Sequence, residues 1–314
     1  MDSVLSRLVL HADDLGMNRA VTAGVLGGFR DGLLTSTSLL ANAPDASAAL
    51  EQWKTLLAEH AAGSLPSAAR RKKLDDPLRP FDLGVHLNLT QGRPLSGLYP
   101  AELLDSEGRF PSIFTLFARL SRYGGRLQAA VLAELAAQVQ VVCDCGLRPT
   151  HLNGHQYIEM LPVVREIMPE LLSRFRLGVV RVACEPGLWR STVLRGQVGH
   201  WPLAAVKHLF ARRFRARMDR LKIMHPAAFF GTAHAGRVDL GLLRRFLISA
   251  GPNRLVEIAL HPGEPPEGVS SEDQAAGWQD PLAGWRPNEL RMLTSAELAG
   301  YLASTGWRLG RLSL

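Results

Sequence analysis

The stretch SRLVLHADDLG, Ser6 to Gly16, sets the interpretation of the fold. Its apolar residues predict a buried first strand, and two adjacent carboxylates, Asp13 and Asp14, follow directly. Like charges side by side at the end of a buried strand repel each other strongly. A cation beside the pair removes that objection, because the ion becomes the largest local charge. The stretch therefore predicts a strand that ends in a charged site.

Outward from this stretch, short apolar runs alternate with helical patterns along the whole chain. The predicted strands are residues 6–12, 36–43, 83–90, 148–155, 177–184, a short one near Phe229, and 255–262. The predicted helices are residues 18–31, 47–60, 111–146 with a break near Gly124-Gly125, 162–175, a basic helix over 207–222, 239–250 and 294–306. This alternation predicts an α/β fold with a mainly parallel sheet, open or closed into a barrel.

The chain shows no internal repeat and no linker long enough to separate domains. We therefore expect a single domain over residues 1–314, with loop insertions near 61–80 and 263–288. The first insertion is rich in Ala, Ser, Pro and charge and is typical of a mobile loop. The second follows the strand that carries His261, so we expect it to lie over the site.

Titratable side chains recur where the predicted strands end. Asp13 and Asp14 follow the first strand, His86 lies in the third, and His155 and His261 end later ones. In a barrel, catalytic residues lie at the C-terminal ends of the strands. One Asp and two His from separate strands make a three-ligand metal site with open positions, the catalytic pattern. The second carboxylate can then act as a general base.

The sequence leaves the second histidine ligand and the metal open. Strand periodicity places His151, Asn153 and His155 on one face, so either histidine can reach a metal. Two imidazoles and one carboxylate suit zinc, cobalt, manganese or iron better than magnesium. We favour zinc on these ligand types.

The cysteine content of the chain indicates the cellular compartment. The three cysteines, Cys143, Cys145 and Cys184, form no even disulfide framework, so we expect a reducing, cytoplasmic environment. We expect no signal peptide before the first strand and no apolar run of about 18 residues that would span a membrane.

The net charge of +7 is concentrated in two clusters, residues 207–222 and Arg70–Lys73. The first predicts an amphipathic helix with a solvated basic face. Its predicted buried stripe is Leu203, Val206, Phe210, Phe214 and Leu221. An anionic membrane surface is the alternative partner, which would place the chain at the inner membrane face. No RNA-binding aromatic motif or zinc-finger spacing supports nucleic acid.

Longer motifs then carry a specific resemblance. The sequence resembles the YdjC-like carbohydrate deacetylases, the family that contains the ChbG chitooligosaccharide deacetylases and the hopanoid-associated HpnK group. The matching motifs agree in order and spacing over nearly the whole chain: HADDLGMN, DGLLTSTSLLANA, LGVHLNLTQGRPL, RPTHLNGHQYIEMLP, VEIALHPGEP and LTSAELAGYLASTGWRLG.

The resemblance implies an irregular (β/α) barrel-like fold and hydrolysis of N-acetyl groups on amino sugars with one divalent metal. By motif position, Asp14, His86 and His155 would bind the metal, with magnesium also admitted. Asp13 would be the general base and His261 the general acid. The resemblance thus favours His155 over His151.

The chain departs from the family at one position. Asn153 replaces an Asp that many members have, which reduces the expected basicity and orientation control of a ligand. Three further residues are candidates for supporting roles. Tyr157 offers an aromatic face to substrate or to the core, Arg181 a contact to sugar hydroxyls or a structural ion pair, and Glu264 a partner for His261 or a solvated loop charge.

The preferred function is therefore a metal-dependent N-deacetylase of an N-acetylated oligosaccharide or glycoconjugate. One alternative keeps the chemistry but acts on an N-acetylglucosaminyl lipid of hopanoid type at a membrane surface, which the basic helix favours. A second is a non-catalytic metal- or sugar-binding protein, although binding alone needs neither Asp13 nor His261. A third, another metal-dependent amidohydrolase or a phosphoesterase, lacks the extra carboxylates of a two-metal centre.

Overall fold

The computed structural model describes residues 6–75, 81–186, 201–252, 254–266 and 276–313. The strands are β1 (Ser6–Leu15), β2 (Ser36–Leu39), β3 (Asp82–Leu87), β4 (His151–Gly154), β5 (Val179–Val180), β6 (Ala228–Phe230), β7 (Leu255–Leu260) and β8 (Trp307–Leu309). The helices are α1 (Arg19–Arg30), α2 (Ala46–Ala61), α3 (Ala68–Arg71), α4 (Ile113–Asp144), α5 (Pro162–Arg174), α6 (Trp201–Arg220), α7 (Leu240–Ala250), α8 (Arg286–Leu293) and α9 (Ala296–Ala303). Short 3₁₀ helices cover Ala101–Leu103 and His155–Met160.

All the pairings among these strands are parallel, in the order β5-β4-β3-β2-β1-β7-β6. β8 pairs with the first residues of β1, below the point where β2 joins the same edge. A parallel bridge from Val179 to Met224 spans part of the gap between β5 and β6. The sheet therefore curls into a half-barrel, which confirms the predicted α/β barrel-like class.

Alternation along β1 separates an outer apolar face from a polar interior. Leu8 and Leu10 join the main core beneath the helices. His11 and Asp13 point inward, where they meet side chains from β2, β4 and β7. Because successive side chains of a strand face opposite ways, one run can build both layers. The C-terminal ends of the strands thus converge on the barrel interior.

Helix α1 begins where the sequence indicates, whereas α6 begins at Trp201 rather than at residue 207, and α8 lies in a segment for which no helix is predicted. Asn18 caps α1 by accepting the backbone N–H of Val21 at 2.9 Å. α4 corrects the predicted break, since it runs without interruption through Gly124-Gly125. The predicted strand over 177–184 is also too long, because β5 retains only Val179 and Val180.

One segment of α4, Gly125–Asp144, is long and apolar enough to cross a membrane by length and composition, contrary to the expectation that no such run exists. In the structure α4 packs on α5, and Glu134 and Gln138 on it are fully buried. Glu134 accepts the N–H of Ser96 at 2.7 Å, and Gln138 accepts that of Asn88 at 2.9 Å. Such contacts are those of a core helix.

The first insertion is packed rather than loose in its described part, residues 61–75. Leu65 and Leu74 are buried, and Arg71 is buried against Asp75 at 2.9 Å. Arg70 donates to the carbonyl of Thr294. Two members of this basic cluster, Arg70 and Arg71, therefore make contacts within the fold, whereas Lys72 and Lys73 are exposed.

α6 is amphipathic as predicted, but its buried face is displaced from the predicted stripe. Ala211, Phe214 and Met218 are buried, whereas Val206 and Leu221 are half exposed. The side chain of Leu203 lies outside the described residues. The exposed face of α6 thus carries apolar as well as basic side chains.

Candidate metal centre and active site

The two adjacent carboxylates reach one site because β1 is irregular where they lie. The pairing of β1 with β2 shifts register between Ala12 and Leu15. Asp14 adopts a left-handed backbone, with φ of 68°. This conformation is uncommon for a residue other than glycine and is concentrated at functional sites. It turns Asp14 towards the same side as Asp13, which strict alternation would forbid.

Asp14, His86 and His155 form a cluster of potential metal ligands. Asp14 Oδ1 lies 3.4 Å from His86 Nε2 and 3.2 Å from His155 Nδ1. One ligand atom from each residue lies within 4.8 Å of the other two. Ligands at zinc distances in a tetrahedron are separated by about 3.3 Å. The spacing and the chemistry of these donors therefore fit a divalent cation, and three ligands leave a position open.

Asn153 fixes the orientation of one ligand. Its Oδ1 lies 3.0 Å from His86 Nδ1 and accepts a hydrogen bond from it, while its Nδ2 donates to Asp13 Oδ1 at 3.0 Å. The proton on Nδ1 leaves Nε2 of His86 free to face a metal. An Asp here would place a second carboxylate against Asp13. The side-chain amide of Asn153 thus orients His86, although the sequence predicts that orientation control is weakened where the family's Asp is replaced.

The two histidines left open by the sequence lie at different depths. His155 contacts Asp14, and its Nε2 lies 3.1 Å from Gln91 Nε2. His151 is fully buried, and its Nδ1 lies 2.9 Å from Thr150 Oγ1. Burial lowers the pKa of His151 to about 4, so it is neutral at physiological pH. His155 is therefore the residue that the fold brings to the ligand cluster.

Asp13 is held as an anion by donors on several strands. Arg181 Nη1 donates to its Oδ2 at 2.7 Å, and His11 Nε2 lies 3.2 Å from its Oδ1. Burial by itself raises the pKa of Asp13. The charges of Arg181, His86 and His11 outweigh that effect and hold the pKa well below its usual range.

Asp14 has an arginine of its own. Arg286 Nη2 donates to Asp14 Oδ2 at 2.8 Å. Burial again opposes the charge, but Arg286 and the hydrogen bonds from His155 and His86 hold the pKa of Asp14 well below its usual range. Two guanidinium groups therefore offset the repulsion between the carboxylates, a task that the sequence interpretation gave to a metal alone.

His261 lies beside Asp13. Its Nε2 is 3.8 Å from Asp13 Oδ2, and its backbone N–H donates to Glu289 on α8. Burial lowers the pKa of His261, with Asp14 and Asp13 opposing the shift. The predicted base and acid, Asp13 and His261, thus lie next to each other and close to the predicted ligands.

The three candidate supporting residues occupy different environments. Arg181 is fully buried, and besides Asp13 it bonds Glu257 at 2.7 Å, so its side-chain hydrogen bonds go to carboxylates. Tyr157 has a left-handed backbone, with φ of 63°, and its ring lies edge-on to Phe229. The side chain of Glu264 is exposed, and its backbone N–H bonds the carbonyl of Ala20.

Sequence reasoning missed several residues that touch the site. Glu257 had a signal, because a charge within the apolar strand LVEIAL shares a face with His261. Gln91 contacts His155, and Arg286 contacts Asp14, but neither stands in a pattern that marks it. Their positions depend on loop and helix packing over long sequence distances.

The chain is similar to known proteins over nearly its whole length. A family model described as YdjC-like protein matches residues 7–304. Proteins named carbohydrate deacetylase from mouse and from Brevibacillus brevis are 30% and 26% identical to this chain. The mouse alignment covers 96% of this chain and 93% of the relative, and the bacterial one covers 94% of each.

A solved structure shares the architecture. A candidate cellobiose-phosphate cleavage protein from Enterococcus faecalis matches 98% of both chains with a TM-score of 0.66 at 20% identity. That likeness supports the fold. Because the family match spans nearly the whole sequence, this chain belongs to the YdjC-like family.

Proposed function

We propose that this chain is a metal-dependent hydrolase that removes the N-acetyl group from an N-acetylated amino sugar. The observation that carries the proposal is the meeting of Asp14, His86 and His155 at one point, with Asp13 and His261 beside them. The names of the relatives support carbohydrate deacetylation. A protein that only binds metal or sugar needs no proton-handling pair, so the geometry favours an enzyme.

The chemistry divides between the cation and the chain. A divalent metal, with zinc favoured by two imidazoles and one carboxylate, supplies Lewis-acid polarisation and acidification of water when bound. Asp14, His86 and His155 would hold it. Magnesium is the alternative implied by the family.

Asp13 is the general base of this proposal. It lies next to Asp14 and stays ionised, so it can accept a proton from the attacking water. Its low pKa makes it a weak base towards ordinary water and suits it to water that has been acidified. Arg181 and Asn153 fix its two oxygens, which limits reorientation during the reaction.

His261 is the general acid. An amine leaves as a neutral group only if it receives a proton, and the imidazole lies 3.8 Å from the carboxylate that collects one. Burial favours the neutral imidazole, while the nearby carboxylates favour the protonated form. In this proposal His261 is therefore neutral before the reaction and becomes protonated during turnover.

Acetate release across neutral N-acetylated sugars and glycolipids tests the proposal. We expect activity to disappear on chelation and to return with zinc or another divalent metal. His86→Ala should lose both metal and turnover, whereas the exposed Glu170→Gln should retain both. Metal binding without acetate release from any N-acetylated sugar would favour a binding protein.

A specific surface favours a second substrate class, an N-acetylglucosaminyl lipid at an anionic membrane. Phe114, Phe117, Val206 and Leu209 are apolar side chains that are each more than a third exposed. Phe117 and Phe210 join α4 to α6 with ring centroids 5.7 Å apart. Exposed Arg212 and Arg213 lie on the same helix.

This apolar and basic surface adjoins the site. α6 packs on the 3₁₀ helix that begins at His155, and Lys207 Nζ lies 5.5 Å from the ring centroid of Tyr157. A surface with apolar side chains and cations suits an anionic bilayer. A soluble chito-oligosaccharide would not require it.

Vesicle binding separates the two substrate classes. We expect salt-sensitive binding to vesicles that contain anionic lipid, and loss of binding in Phe114→Ser with Leu209→Ser. Ile248→Ser, at an exposed apolar site on α7, is the matched control. Equal binding by both variants, or none by the wild type, would leave the soluble sugar as the substrate.

A further inference from the structure

Asp14 uses its two oxygens for different purposes. Oδ1 faces His86 at 3.4 Å and His155 at 3.2 Å, whereas Oδ2 accepts from Arg286 at 2.8 Å. A carboxylate that binds a metal through both oxygens occupies two coordination positions. With Oδ2 held by a guanidinium, Asp14 can offer only Oδ1 without breaking an ion pair.

The guanidinium itself has little freedom. Arg286 Nε bonds Asp280 at 3.0 Å and 2.8 Å to the two oxygens, and Nη1 lies 3.5 Å from the carbonyl of His261. Its side chain is 2% exposed. The aliphatic part lies against Gly263, where an added Cβ would come within 2.9 Å of Arg286 Cδ. Packing against Gly263 and the ion pair with Asp280 therefore hold the guanidinium of Arg286 in one orientation.

The segment that precedes Arg286 also reaches the outer side of a second ligand. Gln279 N donates to Gln91 Oε1 at 3.0 Å, and Gln91 Nε2 lies 3.1 Å from His155 Nε2. Trp278 packs on Gly92, next in the chain to Gln91. The predicted loop over the site thus acts, in its described part, through contacts behind the ligands.

We propose that Arg286 is a positioning residue for the metal centre, which holds Asp14 in one-oxygen coordination and so keeps coordination positions open for water and substrate. This inference rests on the proposed metal-dependent function. Arg286 touches no reacting atom in this scheme. It acts through Asp14, and Asp280 anchors it.

The competing explanation is that Arg286 only ties α8 to β1. A purely structural ion pair would change stability when removed but would not change the coordination of a metal. Metal affinity and the visible spectrum of the cobalt-loaded protein separate the two roles, because cobalt bands depend on ligand number and geometry. Both readouts are independent of turnover.

The test compares Arg286→Met with Arg291→Met, at an exposed arginine on the same helix. We expect Arg286→Met to bind zinc and cobalt about 10- to 100-fold more weakly, the usual effect of losing a partner of a metal ligand. Its cobalt spectrum should shift, whereas Arg291→Met should match the wild type in both measurements.

Two milder variants keep the inference open to refutation if Arg286→Met fails to fold. Arg286→Lys retains the charge and should recover part of the affinity. Asp280→Asn releases the anchor without touching Asp14 and should lose less affinity than Arg286→Met. Wild-type affinity and spectrum in Arg286→Lys and in Asp280→Asn would overturn the inference. If the wild-type chain releases acetate and binds metal, the proposed function stands and such a result overturns only the positioning role of Arg286. If the wild-type chain binds no metal, both the proposed function and this inference are overturned.

Discussion

The two ends of the barrel interior are filled by opposite kinds of side chain. At the N-terminal end Val9, Val179 and Leu312 form a small apolar cluster, flanked by Met224 and Leu255, that is separate from the main core. At the C-terminal end the interior holds buried carboxylates, imidazoles and arginines. β1 contributes to both, through Val9 at one end and Asp13 at the other.

The contrast shows where stability and where chemistry are located. Apolar side chains gain free energy from burial without needing partners. Buried ion pairs such as Arg181–Asp13 roughly offset the cost of desolvation and add little net stability, although breaking one leaves an uncompensated charge. The apolar end and the outer core therefore stabilise the fold, and the charged end can be arranged for function.

Asp13→Asn should have the largest effect on the charged end. The side chain keeps its shape but loses the charge that accepts the proton, so we expect kcat to fall by about 10²- to 10⁴-fold. Asp14, His86 and His155 remain, so metal content should be retained. Acetate release and metal analysis check this, and more than a tenth of wild-type kcat would contradict the assignment of the base.

Leu312→Ala tests the apolar end. Removing a fully buried leucine side chain leaves a cavity, so we expect the free energy of unfolding to fall by about 2–5 kcal/mol. Turnover at a temperature where the variant is folded should stay at the wild-type level. Chemical denaturation and acetate release measure the two effects, with exposed Ile248→Ala as the control that should change neither.

Glu159→Gln tests a buried carboxyl group that has no hydrogen-bond partner among the described residues. Both oxygens of Glu159 are buried without a hydrogen-bond partner among the described residues, and burial raises its pKa to about 8. The unfolded chain releases this proton near pH 4.5, so between about pH 5 and 8 only the folded state binds it. Wild-type stability should therefore fall as pH rises through that range, by at most about 1.4 kcal/mol per pH unit.

The glutamine variant has no such proton. In the metal-free protein it should match the wild type near pH 5 and become the more stable of the two by pH 8. Denaturation across this range measures the difference, and exposed Glu170→Gln should keep the wild-type slope. Parallel pH profiles for Glu159→Gln and wild type would show that Glu159 has an ordinary pKa.

Ser38→Ala should have the smallest effect. Ser38 Oγ lies 3.5 Å from Asp13 Oδ1 and 3.1 Å from His11 Nε2, so its hydrogen bond to that carboxylate is longer than those from Arg181 and Asn153. Because Arg181 and Asn153 remain, we expect a loss of about 1 kcal/mol or less in stability and less than tenfold in kcat. A larger loss in acetate release would mean that the hydroxyl orients His11 as well.

Local pattern predicted most of the strands and the candidate ligands at their ends, because alternation and strand ends are properties of short stretches. It left the choice between His151 and His155 open, and the family resemblance favoured His155. The errors have physical causes. Two glycines in α4 were predicted to break it, but they lie within a 32-residue helix that tertiary packing supports. β5 is shorter than predicted because its pairing with β4 ends where the backbone N–H of Arg181 bonds the carbonyl of Leu152 at 2.9 Å, and β4 itself passes into a 3₁₀ helix at His155.

The sequence by itself determined that an aspartate pair and three histidines lie in or directly after apolar strands in a YdjC-like chain, since those motifs are contiguous. Only the tertiary structure decided that His155 rather than His151 meets Asp14, that Asn153 links His86 to Asp13, and that Arg286 binds Asp14 from 272 residues away. These contacts depend on how strands and helices pack in three dimensions. No local periodicity encodes a hydrogen bond between side chains so distant along the chain.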